Sequence, residues 1–101
     1  MKKTMILAVT AMLMTPIAAM AERDGATVYN TKCMACHMTG AAGAPIVGKA
    51  DQWGPRAAMG IDALVASATK GVNAMPPKGT CMDCTDGEMK AAIQHMLDNS
   101  K

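Results

Sequence analysis

Phenylalanine is absent from this 101-residue chain, and tyrosine and tryptophan occur once each, as Tyr29 and Trp53. Small domains usually fill their centres with a few large rings. With methionine and alanine as the main apolar residues, something other than aromatic side chains has to occupy the middle. A strong excess of one charge is also missing. Lys2 and Lys3 belong to an N-terminal leader, and without them eight basic groups face eight acidic ones. No basic patch argues for nucleic acid or for an acidic membrane surface, so partners would be selected by local shape and local charge. There is no internal repeat of fold-defining length, no low-complexity tract and no strand-like alternation.

The leader itself is legible. Met1-Lys2-Lys3 precedes an apolar run from Met5 to Met20, which ends in Ala19-Met20-Ala21 before the charged Glu22-Arg23-Asp24. This is the pattern of a secretory signal peptide, residues 1–21, cleaved after Ala21. Thr10, Thr15 and Pro16 interrupt the run and argue against a retained anchor, so no stable membrane insertion is expected after cleavage. The expectation is a periplasmic protein with one domain, 22–101. A domain of roughly eighty residues buries too little apolar surface to be comfortable without a staple or a cofactor.

Along that domain, Asp24 is a good N-cap for a helix that runs through Val28, Tyr29 and Lys32 toward Cys36. Residues 40 to 54 read as loop, and Pro55 suits the first turn of a short helix, Arg56 to Met59. Asp62 opens a second, Ala63 to Lys70, with Gly71 as its stop. Another irregular stretch, Val72 to Cys84, leads to a Thr85-Asp86-Gly87-Glu88 capping box. Met89, Ala92, Ile93, Met96 and Leu97 follow it at helical spacing. The class is all-α.

Chemistry concentrates in Cys33-Met34-Ala35-Cys36-His37. Two thiols and an imidazole this close admit a zinc clasp, a dithiol redox centre or a covalently attached haem. Cys81 and Cys84 would complete a four-thiolate zinc site. The gap between the two pairs is much longer than the usual ribbon spacing, however, and zinc leaves His37 without a role. A dithiol centre needs a thiolate at a helix N-terminus, usually after a strand. Here the pair closes a helix. Haem uses every residue of the cluster, because thiols one turn apart can add to two vinyl groups and the next histidine then reaches the iron. It also supplies the large apolar body that the composition lacks.

The iron would still have an open position. Met89, Met96 and Met59 fall on or beside helices, but Met75 stands outside any helical period and directly before Pro76 and Pro77. Pro76 pushes it toward an extended conformation and both prolines stiffen the loop, so a thioether could be held against iron with little reorganisation. Met75 is therefore the candidate sixth ligand.

Taken together, Cys33-Met34-Ala35-Cys36-His37, Gly43-Ala44-Pro45, Trp53-Gly54-Pro55-Arg56, Ala74-Met75-Pro76-Pro77-Lys78-Gly79 and Cys81-Met82-Asp83-Cys84 resemble the cytochrome c5 family, over essentially the whole mature length. The resemblance implies a class I cytochrome c fold, four or five short helices wrapped around one covalently bound haem. It implies thioethers at Cys33 and Cys36, with His37 and Met75 as axial ligands. Pro45 matches a proline whose carbonyl accepts from the proximal histidine, while Trp53 and Arg56 match residues near the haem propionates. Gly25 and Tyr29 match a face that lets the first helix cross the last. Here His95 stands where the family usually has an aromatic residue. Cys81 and Cys84 cannot form a second haem site, because Thr85 follows them, and two thiols this close in an exported protein point to a disulfide.

The function implied is one-electron transfer in the periplasm, without enzymatic activity. Partners would be a quinol-oxidising complex, a terminal oxidase or a periplasmic peroxidase, and no nucleic acid. The alternatives are a haem sensor or peroxidase-like enzyme with a labile sixth ligand, and a redox-inert haem subunit.

Overall fold

The computed structural model describes residues 22–101. The leader and its cleavage after Ala21 lie outside the described residues. All regular structure among the described residues is helical, apart from one isolated bridge between Val72 and Met75. None of these helices is long and apolar enough to cross a membrane.

The N-terminal helical stretch is three pieces in series. α1 (Gly25–Val28) is capped by Asp24, whose carboxylate accepts from the Thr27 amide at 2.7 Å. A π-helical turn covers Tyr29–Cys33, and α2 (Met34–His37) completes the run. The sequence anticipates the cap and the helix but not the π turn. It inserts one residue per turn up to and including Cys33, and such insertions are common at functional sites. The Thr31 hydroxyl donates to the Thr27 carbonyl at 2.8 Å and takes up an acceptor in the widened turn.

α3 covers Ala50–Ala57, and here the reading of Pro55 as a first-turn residue fails. The helix starts five residues earlier, at a point with no side-chain cap, and Pro55 sits inside it. Burial of Trp53 to 4 % exposure explains the outcome, because the indole gains more by docking than a proline costs near the end of a short helix. α4 (Ile61–Lys70) begins one turn position before the proposed Asp62 cap and stops at Gly71, whose φ of 102° only glycine adopts readily.

α5 (Asp86–Asp98) has the capping box in full. Glu88 N donates to Thr85 Oγ1 and Thr85 N to Glu88 Oε1, each at 3.0 Å. Its buried face is Met89, Ala92, Ile93 and Met96, and α1 and α4 both pack on it. Fully burying an Ile or Met side chain contributes about 1.5–3 kcal/mol. α1 crosses very near: a Cβ on Gly25 would collide with the Ala91 carbonyl oxygen. Four positions along from Gly25, the Tyr29 and His95 rings meet at 5.2 Å between centroids, tilted by 43°, so the imidazole packs where an aromatic ring would.

Candidate haem-binding site

The core does not close on itself. Trp53, Ala68, Met89, Ala92, Ile93 and Met96 are buried core residues, and all of them also line a cleft of about 290 Å³. The same cleft is lined by Cys33, Cys36, His37, Pro45, Arg56 and Met75. Every residue that the sequence nominates for the haem therefore faces one space. Cys81 and Cys84 are not among the lining residues.

His37 ends α2 and is 8 % exposed. Its Nδ1 lies 2.9 Å from the Pro45 carbonyl oxygen. A carbonyl only accepts, so Nδ1 carries the proton and Nε2 keeps its lone pair, the arrangement of a histidine prepared to bind a metal. Burial pushes its titration below the usual histidine range. The Pro45 bond opposes that shift, and the Arg56 charge adds to it. The ring thus stays neutral, as a ligand must. It also packs against Trp53, with centroids 5.8 Å apart.

The Pro45 segment is itself gripped from three elements. Val47 N donates to the His37 carbonyl at 2.8 Å, and Ile46 N donates to Gln52 Oε1 at 2.7 Å. Gly48 N donates to the hydroxyl of Ser100, a buried residue just past α5, at 2.8 Å. Trp53 belongs to this group: its Nε1 donates to the Ile46 carbonyl at 3.0 Å. That N–H is engaged within the loop, so Trp53 both walls the cleft and braces the segment that holds His37. Arg56 is exposed at the cleft edge, with one guanidinium nitrogen on the Gln52 carbonyl and the rest of the fork available to an anion. Gln52 and Ser100 carry no sequence signal for this bracing, because polar side chains on or just after a helix are ordinarily solvated.

Cys33 is partly buried and Cys36 exposed, both with free thiols. Burial raises the Cys33 thiol above its ordinary range. Met75 is half-buried and held in a tight turn: Met75 N donates to the Val72 carbonyl at 2.7 Å and Val72 N to the Met75 carbonyl at 3.1 Å. Its terminal methyl lies 3.3 Å from where a Cβ on Gly79 would stand, so a side chain there would press on the thioether.

The cleft thus presents two thiols one helical turn apart, a neutral imidazole with Nε2 free, a thioether in a stiff loop and a wall of apolar side chains. That donor set fits a haem joined to the chain through sulfur. Cys81 and Cys84 form a separate feature. Their sulfurs stand at a bonding distance of 1.95 Å, their Cα atoms are 5.4 Å apart, and Thr85 in place of a histidine follows them.

Comparison with known proteins agrees with this chemistry. Residues 20–96 match the profile of the family described as cytochrome C oxidase, cbb3-type, subunit III. A cytochrome c5 of Azotobacter vinelandii is 51% identical over 76 residues, covering 73% of this chain and 92% of the relative. Among solved structures, a mono-heme ferrocytochrome c from Shewanella putrefaciens is 48% identical with a TM-score of 0.69, covering 78% of this chain and 96% of that one. A chain from an electron transfer complex of nitrite reductase with cytochrome c is 38% identical with a TM-score of 0.73, covering 76% of this chain and 94% of its own. The chain belongs to the cytochrome c5 family, electron carriers whose cofactor is a covalently attached c-type haem.

Proposed function

We propose that the mature protein is a periplasmic carrier that accepts and donates one electron at a time, with no catalytic turnover of its own. Cys33 and Cys36 would hold the haem through thioethers, and His37 Nε2 and the Met75 sulfur would bind its iron. When bound there, haem supplies an iron that cycles between ferric and ferrous states. The chain does the rest. The observation that carries the reading is the His37–Pro45 hydrogen bond at 2.9 Å at the edge of the same cleft that Met75 lines. It fixes the tautomer and orientation of one ligand, while the Val72–Met75 turn restrains the other. Two ligand groups held by bonds within the chain would keep the same arrangement in both oxidation states, which favours fast transfer.

The peroxidase-like alternative needs an acid–base side chain near an open iron position. The described residues lining the cleft include no carboxylate and no histidine besides His37, which supports the carrier reading. The partner is proposed to be another redox protein of the same compartment, as in the nitrite reductase complex of the related cytochrome. Cys81 and Cys84 are proposed to be a structural disulfide. The test of the ligand set is Met75→Ala. The native ferric protein should be low-spin with the weak far-red sulfur-to-iron band. The variant should lose that band and bind carbon monoxide when reduced. Retention of the band in the variant would remove Met75 from the site.

A further inference from the structure

Lys78 stands three residues after Met75, half-buried, with its side chain turned inward. Its Nζ donates to the Cys84 carbonyl at 2.9 Å. The backbone around it needs an external hold. Lys78, Gly79 and Thr80 all have positive φ, at 57°, 57° and 71°. Left-handed geometry is disfavoured for residues with a Cβ, and most of all for a β-branched one. Two backbone bonds, Gly79 N to the Pro76 carbonyl at 2.8 Å and Cys81 N to the Lys78 carbonyl at 2.9 Å, close the segment on itself but do not tie it to a helix.

The Cys84 carbonyl is a fixed anchor. Cys81 and Cys84 are 1 % and 3 % exposed. Arg23, from the N-terminal segment, reaches over them: its Nη2 is 3.7 Å from Cys84 Sγ, 3.4 Å from Asp83 Oδ1 and 3.1 Å from Glu88 Oε1. Glu88 belongs to the capping box of α5. A continuous line of contacts therefore runs from α5 and the N-terminal segment through Cys84 to the loop that carries Met75.

We propose that Lys78 is a positioning residue for the sixth ligand: its ammonium, bonded to the Cys84 carbonyl, clamps the Met75 loop to the start of α5 and keeps the thioether in place. The proposal rests on Met75 being an iron ligand. A charge-assisted bond of this kind is strong enough that its loss should raise the population of the loop-open form roughly tenfold.

The experiment uses the full mature holoprotein in native, Lys78→Met and Lys78→Arg forms, with Met75→Ala as the control for the ligand. Two melts are followed, the far-red sulfur-to-iron band and the far-ultraviolet circular dichroism, together with the rate of carbon monoxide binding to the reduced protein. Lys78→Met should keep its haem and its helical melt but lose the band at lower temperature, and carbon monoxide should bind roughly tenfold faster. Lys78→Arg, which keeps a cationic donor, should return both readouts toward native. A purely structural role would move the two melts together, and that result, or an arginine variant indistinguishable from methionine, overturns the proposal. In the native protein the Lys78 ammonium should also give a slowly exchanging nitrogen-15 signal, which keeps the claim testable if Lys78→Met fails to fold. Exchange as fast as that of Lys101 would contradict it. A band that survives in Met75→Ala would instead sink the ligand assignment, and the clamp with it.

Discussion

Pro45 and His37 are eight positions apart in the chain and 2.9 Å apart at the carbonyl oxygen and Nδ1. The bond depends on the brace formed by Gln52, Trp53 and Ser100 on residues 46 to 48. The His37 ring N–H should therefore give a persistent, slowly exchanging signal in nitrogen-15 spectra of the reduced protein. Ser100→Ala, which removes the hydroxyl that accepts from Gly48 N, should speed that exchange without changing the haem spectrum. A ring proton that exchanges as freely as one on the half-exposed His95 would mean that the carbonyl does not hold it.

Gly25 tests the helix crossing. An added Cβ meets the Ala91 carbonyl, which is backbone and cannot rotate away. Gly25→Ala should lower stability by about 1–3 kcal/mol, as overpacking usually does, and leave the absorption bands where they are. Denaturant titration at constant haem content measures it. An unchanged midpoint would show that α1 does not approach α5 as closely as described.

Glu88 contributes an acid-side pH dependence. It is 5 % exposed and accepts from the Arg23 side chain, from Thr85 N and from Arg23 N, which together lower its pKa from 4.5 to about 2. A carboxyl depressed on folding stabilises the native state above its unfolded pKa. That contribution is lost as pH falls from about 4.5 through about 2. The native protein should thus lose stability across this window. Glu88→Gln should be less stable at neutral pH and flatter below pH 4.5. Parallel curves for the two proteins would show that Glu88 does not titrate with folding.

Replacing both Cys81 and Cys84 by alanine separates a staple from a redox centre. A bridge over so short a loop contributes on the order of 2 kcal/mol. The double variant should still incorporate haem and pass electrons but melt at a lower temperature, with Met75 ligation released more easily. If electron transfer is lost while the haem and its ligands persist, the pair takes part in the chemistry.

Much of this was legible because certain residues speak locally. Cys33, Cys36, His37, the Met75-Pro76-Pro77 run and the Thr85–Glu88 box each act through covalent spacing or fixed backbone geometry, and the structure gathers Cys33, Cys36, His37, Met75 and Pro76 in one cleft. The α3 boundary was not legible, because long-range burial of Trp53 overrides the local signal of Pro55. The π turn, the inward Lys78 and the Arg23–Glu88 pair were equally hidden. Where a long cationic side chain points is decided by the folded positions of its partners, the Cys84 carbonyl for Lys78 and Glu88, 65 positions away, for Arg23. The bond from the Trp53 N–H to the Ile46 carbonyl is hidden for the same reason, because a loop conformation that composition does not encode presents that acceptor.

Haem attachment at Cys33 and Cys36, and not at the second cysteine pair, is what the proposed carrier requires above all. The most direct measurement is mass spectrometry of the denatured purified protein, followed by tryptic mapping. The expected mass is that of the chain from Glu22 plus one haem. The haem should be retained after acid-acetone extraction and carried on the tryptic peptide 33–49, with the peptide 79–90 free of it. Haem on 79–90 would place the attachment at the second pair, and colour that extracts freely would show that no covalent attachment exists.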